Sequence, residues 1–228
     1  MPPTATPTLA PAAIVTTATL MPPTATPTPA PAATETTATF QQGANGYSGS
    51  EDTYIYQYGG AANYSTGAGL KVGYKQMNAV LLRFDLSAIP ASASVTRATL
   101  QLYGSGWNGS EVVIGAYVIT RAVRLAETTW SAARVGFPWR QAGCNSTVSD
   151  RRATAESVVT TSGINKWYSF DLTAAAQGWV TGTIPNNGVL LRAAMAVTSA
   201  FHFWSANSTA ASTRPKLVIT YRASSAPR

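Results

Sequence analysis

The sequence predicts an all-β fold: a jelly-roll β-sandwich of eight or nine strands with one short helix, preceded by an extended Thr/Pro-rich N-terminal segment. Three observations lead to this prediction. Residues 52–221 contain short runs of alternating apolar and polar side chains, separated by Gly, Asn, Ser and Pro. Helical periodicity is confined to one short stretch, which excludes parallel strands joined by helices. Residues 1–40 hold most of the prolines and almost no aromatic side chains, so they cannot build a core.

Eight segments carry the strand pattern. The clearest is 95–103, where Ala98, Leu100 and Leu102 would share one face of a strand. The segments are 52–58, 77–84, 95–103, 111–124, 167–171, 188–197, 200–205 and 215–222. Residues 172–181 are rich in alanine and follow an aspartate, which predicts the short helix. An antiparallel two-sheet jelly roll accommodates strands that follow one another without long helices.

Composition also sets the domain boundaries. We expect a duplicated Thr/Pro/Ala-rich segment at 1–40, a Gly/Ser-rich linker at 41–50, the β-sandwich domain at 51–222 and a C-terminal tail at 223–228. The two 20-residue repeats of the first segment differ only at 9/29, 14/34, 15/35 and 20/40. Because Met1 aligns with Met21, we expect the sequence to begin inside a longer repeat array that follows a signal peptide.

The Pro-free part of the first repeat has the pattern of a β-strand. One face of that strand would carry Ala12, Ile14, Thr16, Ala18 and Leu20. The segment is therefore a candidate polymerisation strand, which a neighbouring copy would accept at a sheet edge to build a homopolymer. Such head-to-tail donation generates a filament. The alternative is a semi-rigid glycosylated stalk.

The charge balance restricts the partners. The chain has 16 Lys and Arg against 9 Asp and Glu, a net charge of +7. The basic residues are scattered singly apart from Arg151 and Arg152, which argues against nucleic acid as a partner. An acidic polysaccharide or the cell envelope suits this surface better. No apolar run reaches the length of a membrane span, and the single cysteine, Cys144, excludes a disulfide within the chain.

The residues that catalysis needs do not form a recognisable set. His202 is the single histidine and lies on a predicted strand, and the loop around Cys144 has no histidine to activate the thiol. Asp85 and Asp171 each end an apolar strand before Leu and a hydroxyl residue. We interpret both as residues that cap their own backbone rather than as paired catalytic carboxylates. The sequence thus predicts a protein that is not an enzyme and has no cofactor.

One metal site is a candidate. Glu51 and Asp52 lie at the start of the first predicted strand, beside a Gly/Ser-rich loop. Carboxylate oxygens are the ligands that calcium prefers. The pair could therefore hold a structural Ca²⁺.

Carbohydrate binding is a second candidate activity. Aromatic rings stack on sugar faces, and basic side chains pair with uronate or sulfate groups. Two tryptophans lie in predicted loops, where a core residue is not expected. The candidate residues are Trp107, Trp139, Arg140, Lys71, Tyr74 and Lys75.

Several short motifs follow one another in a fixed order between residues 50 and 222: 52–55 (DTYI), 70–73 (LKVG), 81–87 with 89–90, 95–100 (VTRATL), 129–130 (TW), 170–173 (FDLT), 177–179 (QGW), 188–192 (GVLLR) and 214–221 (RPKLVITY). The order of these motifs gives the sequence a resemblance to the DNRLRE-type domain of bacterial surface and secreted proteins. It implies a jelly-roll sandwich, and some relatives are classed as carbohydrate-binding modules for acidic polysaccharide. The six-letter signature of the family name is missing here, so no ligand residue is transferred.

Two functions follow as expectations, both extracellular or at the cell surface. The first is a structural subunit of a surface filament or adhesive fibre, assembled by donation of the N-terminal strand to a neighbouring subunit. The second is a stalk-mounted carbohydrate-binding module for acidic polysaccharide. Loss of residues 1–20 would abolish assembly under the first hypothesis and leave glycan affinity unchanged under the second.

Overall fold

The computed structural model describes Met1 and residues 34–223, and within them it contains thirteen strands and one α-helix. The elements are β1 (Glu35–Gln41), β2 (Ser50–Tyr56), β3 (Gly69–Gly73), β4 (Asn78–Phe84), β5 (Ser94–Trp107), β6 (Val112–Val118), β7 (Ala132–Arg134), β8 (Phe137–Pro138), β9 (Ser157–Thr161), β10 (Trp167–Asp171), α1 (Thr173–Thr181), β11 (Val189–Ala193), β12 (Ala200–Trp204) and β13 (Lys216–Arg222). Short 3₁₀ turns lie at Gln57–Gly59 and Ala211–Thr213. The all-β fold class predicted from the sequence is confirmed.

Eleven of these strands form one curled antiparallel sheet, and β7 and β8 form a separate hairpin. The order along the sheet is β1-β13-β5-β12-β3-β4-β11-β6-β9, with β10 also paired to β5 and β2 to β4. The strand β5 is long enough to pair with β13 and β10 in its first part and with β12 near its end. Side chains from both halves of the curled sheet meet in one apolar core, as in a jelly-roll sandwich.

All eight predicted strand segments and the helix correspond to observed elements, but the predicted number of strands is too low. The additional strands are β1, β3, β7, β8 and β9. β7 and β8 have three and two residues, and β9 has the burial pattern of a half-exposed strand. Such segments give little alternation in hydropathy, so pattern reading from a single sequence passes over them.

Both faces of the central strands β4 and β11 are buried. In β4, Val80 and Leu82 face the main core, while Ala79 and Leu81 face a second apolar cluster. That cluster is supplied largely by the connection between β6 and β9, residues 119–156, which we call the outer layer. The members of this second cluster are Ile55, Ala79, Leu81, Ile119, Val123, Leu125, Ala133, Trp139, Cys144 and Leu190. Burial on both faces explains why these strands have continuous apolar runs rather than alternation.

Asp150 holds the outer layer together. Its carboxylate is fully buried and accepts hydrogen bonds from the backbone N–H groups of Arg140 (3.0 Å), Gln141 (3.0 Å) and Ser146 (3.2 Å). It also accepts a bond from Nε of Arg121, at 2.7 Å. Burial raises the pKa of Asp150, but these donors hold it below its ordinary value. A charged group thus organises a segment that has little regular secondary structure.

The first strand begins before the domain boundary expected from the sequence. β1 pairs antiparallel with β13 from Glu35 opposite Arg222 to Gln41 opposite Lys216. Phe40 is only 3% exposed and belongs to the main core. The sandwich therefore includes residues that the expected boundaries at 1–40 and 41–50 assigned to the repeat and the linker. Composition concealed this strand because its Thr and Ala residues match those of the repeat.

Two local predictions from the sequence are confirmed. The carboxylate of Asp85 accepts a bond from the N–H of Ser87 at 2.9 Å, and that of Asp171 accepts one from Thr173 at 2.8 Å. Both aspartates therefore cap strand ends rather than forming a catalytic pair.

Among the described residues, no helix is long and apolar enough to cross a membrane. The proposed polymerisation strand Ala12–Leu20 lies outside the described residues.

Candidate functional site

Three neighbouring strands present a mixed basic and aromatic surface. In β12, Phe201 and Phe203 point into the core, so the alternate residues His202 and Trp204 point outward. Lys71 lies opposite His202 on β3. On the other side of His202 lies Gly106 of β5, where a Cβ atom would come within 3.0 Å of the imidazole Nδ1. A glycine at this place therefore leaves room for the histidine ring over the strand.

Two tyrosines border the surface formed by Lys71, His202 and Trp204. Tyr54 on β2 and Tyr64 in the β2–β3 loop stack with ring centroids 4.2 Å apart and an interplanar angle of 17°. The Nζ of Lys71 lies 5.8 Å from the centroid of Tyr54. The loop that carries Tyr64 is fixed by Asn63, whose Nδ2 donates to the carbonyls of Leu125 (2.8 Å) and Thr128 (2.7 Å) in the outer layer. The two tyrosines are thus held from behind by buried backbone.

Together these side chains enclose a groove of about 460 Å³, which we call the aromatic groove. Its lining consists of Tyr54, Asn63, Tyr64, Thr66, Gly67, Gly69, Lys71, Ser105, His202 and Trp204. Trp204 is 36% exposed. The described residues that line the groove include no acidic side chain.

The electrostatics of the aromatic groove favour an anionic ligand. Burial, with a smaller contribution from the charge of Lys71, holds the pKa of His202 below its ordinary value. Burial and the neighbouring rings Tyr64 and Tyr56 raise the pKa of Tyr54. The imidazole of His202 and the phenol of Tyr54 are therefore uncharged at neutral pH and lie beside the basic side chain of Lys71. The groove can donate hydrogen bonds and carries one basic side chain.

Comparison with known proteins identifies the family. The sequence profile of carbohydrate-binding module family 96 matches residues 44–221. The chain belongs to this family. None of the curated proteins matches the sequence. Carbohydrate-binding modules are non-catalytic domains, which is compatible with the expectation that the protein is not an enzyme, and the resemblance to the DNRLRE type in particular stays a prediction.

The structure separates the six residues that the sequence nominated for sugar binding in this module. Lys71 lines the aromatic groove. Tyr74 and Lys75 lie in the following turn, exposed and in the left-handed conformation, with φ of 45° and 54°. Their N–H groups bond to the carbonyls of Ser199 and Val197 at 2.6 and 2.5 Å. These bonds hold an unfavourable turn in place, and neither side chain lines the groove.

The two nominated tryptophans differ from each other. Trp107 is 38% exposed at the end of β5, outside the groove lining, and its indole N–H donates to the carbonyl of Ser110 at 2.6 Å. Trp139 is only 5% exposed because it packs in the outer-layer cluster, and its N–H donates to the carbonyl of Thr129. The ring of Trp139 is therefore not exposed for stacking on a sugar. Its neighbour Arg140 is exposed on the same layer, away from the groove lining.

The carboxylates of Glu51 and Asp52, the expected calcium ligands, do not point toward a common site. Both carboxylate oxygens of Glu51 accept bonds from Arg83 at 2.8 Å, on the outer face of β2. Asp52, the next residue, points to the opposite face, where its Oδ2 accepts a bond from the N–H of Ala206 at 2.6 Å. In the described part of the chain, no group of three or more His, Cys, Asp or Glu residues is placed to hold a metal ion. The expected calcium site at Glu51 and Asp52 therefore lacks the geometry it needs.

A second depression of about 560 Å³ lies near Asp52. Two of its polar side chains are bonded within the module: Arg214 donates to the carbonyls of Ser208 and Gln42, and Asn207 donates to that of Ser65. No aromatic residue lines it. The aromatic groove is the better candidate, because it combines several aromatic rings with the basic side chain of Lys71.

Sequence reasoning missed most of the aromatic groove. The alternation in residues 201–204 was sufficient to place His202 and Trp204 on one outward face, opposite two buried phenylalanines. Tyr54 and Tyr64 gave no such signal. They meet across a loop, and only the pairing of β2 and β3 with their neighbours brings them to Lys71.

Proposed function

We propose that the module binds an acidic polysaccharide in the aromatic groove. The observation that carries the proposal is the exposed ring of Trp204 beside Lys71 and His202, in a groove whose described lining has no carboxylate. The family assignment favours this second of the two functions that the sequence predicted. The net charge of +7 attracts a polyanion from a distance.

Each part of the groove has a distinct role in this proposal. The indole of Trp204 provides a flat apolar face for a sugar ring, since aromatic side chains combine large contact area with little loss of conformational entropy. The ammonium of Lys71 pairs with a uronate or sulfate group. Tyr54, Tyr64 and neutral His202 supply hydrogen bonds that orient the hydroxyl groups. Paired strands carry most of these groups, and Asn63 fixes the loop that carries Tyr64, so the groove is largely preformed.

Titration calorimetry with soluble acidic polysaccharides tests the proposal. We expect Trp204→Ala to weaken binding about tenfold to a hundredfold, as for a central aromatic contact. Lys71→Ala should weaken binding about tenfold through loss of one charge-assisted contact. Circular dichroism of each variant checks that the fold is unchanged.

Trp107→Ala is the matched control, because Trp107 is almost as exposed as Trp204 but lies outside the groove. It should bind like the unmodified protein. Equal loss of affinity in both tryptophan variants would show that the groove is not the site. Tighter binding of a neutral polysaccharide than of any acidic one would overturn the assigned ligand class.

Two further predictions from the sequence, the location of the protein and its assembly into a filament, are compatible with this function and stay predictions. A location outside the cell or at its surface is proposed because the polysaccharides concerned occur there. Assembly through the N-terminal repeat concerns residues outside the described range. The observation that favours assembly is the docking of β1, because its sequence recurs upstream.

A further inference from the structure

The strand β1 has a near copy twenty residues earlier in the chain. Residues 35–40 read ETTATF, and residues 15–20 read VTTATL. The four central residues are identical, and the two differences are Glu35 for Val15 and Phe40 for Leu20. The structure shows what the later copy does: it forms the edge strand that pairs with β13. The chain therefore contains two sequences for one strand position.

We call this place, the edge of β13 that Glu35–Gln41 occupies, the β1 position. The side chain of Phe40 fills it by entering the main core, where it contacts Tyr47 edge to face at a centroid distance of 5.3 Å. Ala38 packs against the same core. On the opposite face, the hydroxyl groups of Thr37 and Thr220 lie 3.0 Å apart. The position thus selects a strand with a small residue and a large apolar residue two places apart.

Residues 15–20 meet these requirements in the same register. Ala18 corresponds to Ala38, Leu20 supplies an apolar side chain for the Phe40 pocket, and Thr17 corresponds to Thr37. Val15 loses the ion pair between Glu35 and Arg222, which is exposed at both partners and so contributes little. The face predicted from the sequence for the polymerisation strand, which includes Thr16, Ala18 and Leu20, is the face that β1 turns inward.

We propose that residues 15–20 of one chain dock at the β1 position of a second copy of the chain, antiparallel to its β13, and displace the strand present there. Within a chain the β1 position is already filled by the tethered residues 35–41, which have the advantage of high effective concentration. Residues 15–20 would therefore compete for the β1 position of another chain, where they would replace residues 35–41 of that chain. Exchange is reversible because the two strands have nearly the same contacts, and it increases with protein concentration.

Disulfide trapping between full-length chains tests the exchange. Thr37 and Thr220 are directly opposite in the β1–β13 pair, and their hydroxyl oxygens lie 3.0 Å apart. Opposite residues of an antiparallel pair have Cα atoms about 4.5–5.5 Å apart, a distance that a disulfide spans. A chain with Thr17→Cys is mixed with a chain with Thr220→Cys under mild oxidation. We expect a disulfide-linked heterodimer, with the linkage confirmed by peptide mass spectrometry. Cys144 does not interfere, because it is buried and burial raises the pKa of its thiol.

The matched control replaces Thr220→Cys by Ser87→Cys, an exposed position outside β13 and the strands paired with it. Heterodimer yields that are equal in the two mixtures would overturn the proposal. A chain carrying both Thr17→Cys and Thr220→Cys separates exchange between chains from a shift within one chain. Linkage that forms only within that chain would also overturn it.

Phe40→Ser gives a second test, in which light scattering is a readout that does not depend on cysteine. This change weakens the tethered strand, so it should raise the heterodimer yield several-fold and produce concentration-dependent dimers or longer species in light scattering. Adding Leu20→Ser should abolish both effects, because neither strand then fills the pocket. Oligomers that persist in the double variant would contradict docking of residues 15–20.

Discussion

Asp52 couples the stability of the module to pH through a single carboxyl group. It is only 5% exposed, lies on the inner face of β2 and has one hydrogen-bond donor, the N–H of Ala206. Burial raises its pKa to about 7, and the bond from Ala206 offsets only part of that effect. No basic side chain forms an ion pair with it in the described part of the chain. The proton is therefore held more tightly in the folded state than in the unfolded one.

This difference predicts that stability falls as pH rises. Between the unfolded pKa of 3.8 and the folded pKa of about 7, the folded state binds more protons than the unfolded state. The free energy of unfolding should therefore decrease with pH in that window, by up to about 1.4 kcal/mol per pH unit. Asp52→Asn keeps an acceptor for Ala206 and removes the ionisation, so its urea denaturation curves should depend less on pH and show higher stability than the unmodified protein at pH above 7.

Glu111→Gln serves as the control for this measurement, since it removes an exposed carboxylate. Its stability should follow that of the unmodified protein across the pH range. If Asp52→Asn shows the same slope as the unmodified protein, the buried carboxyl does not carry the pH dependence.

At the scale of elements, the outer layer depends on one residue more than on its own secondary structure. Residues 119–156 contain only the short hairpin β7–β8, yet they cover the outer face of β4 and β11. The backbone of this layer converges on the buried carboxylate of Asp150. The layer also carries the carbonyls that hold Asn63 behind the aromatic groove.

We expect Asp150→Ala to destabilise the fold by about 3–5 kcal/mol, because it leaves the charge of Arg121 and several buried N–H groups without a partner. Thermal denaturation measures this loss. Cys144 provides a local probe, since its buried thiol lies 3.7 Å from the carbonyl of Asp150. Reaction of Cys144 with a thiol reagent should be faster in the variant.

Asp171→Ala is the comparison, because that carboxylate caps one strand end at the surface. It should cost far less stability and leave Cys144 protected. A Cys144 that stays equally protected in Asp150→Ala would show that other contacts hold the outer layer.

At the scale of the whole molecule, net charge and aromatic stacking both contribute to the affinity for a polysaccharide, and salt should affect only the contribution of charge. Added salt screens a positive surface from a polyanion, with a Debye length that falls from about 10 Å at 0.1 M to about 3 Å at 1 M. Affinity for an acidic polysaccharide should therefore decrease with ionic strength. Lys71→Ala should reduce this dependence, while Trp204→Ala should lower affinity and leave the dependence unchanged. An affinity that does not change with salt would contradict a charged ligand.

The sequence predicted the fold well where each strand has its own periodic signal. Strand β10 matches the predicted bounds, and helix α1 differs by one residue. Strand β1 was missed because its Thr and Ala residues resemble the rest of the repeat. Its one large apolar residue, Phe40, marks it as a strand only once the structure shows that Phe40 enters the core. Local composition places a residue in a repeat, whereas long-range packing decides whether it belongs to the sheet.

The candidate site was less accessible to the same reasoning. Lys71 was nominated for its charge, and it lines the groove. Trp139 was nominated because its segment has the composition of a loop, but that loop folds back over a sheet face and buries the ring. A site assembled from β2, β3, β5 and β12 depends on strand register, which a single sequence specifies only weakly before the pairs are known.

The pairing of β1 with β13 also determines how the module responds to mechanical load. Glu35 lies opposite Arg222, so the chain enters and leaves the sandwich at the same end of two neighbouring antiparallel strands. A force applied at residues 34 and 223 would therefore open the ladder one pair at a time, instead of loading all its hydrogen bonds together. Phe40 lies near the far end of the pair and would leave the core last. Under tension β1 would lengthen the tether while the groove on β3 and β12 keeps its shape.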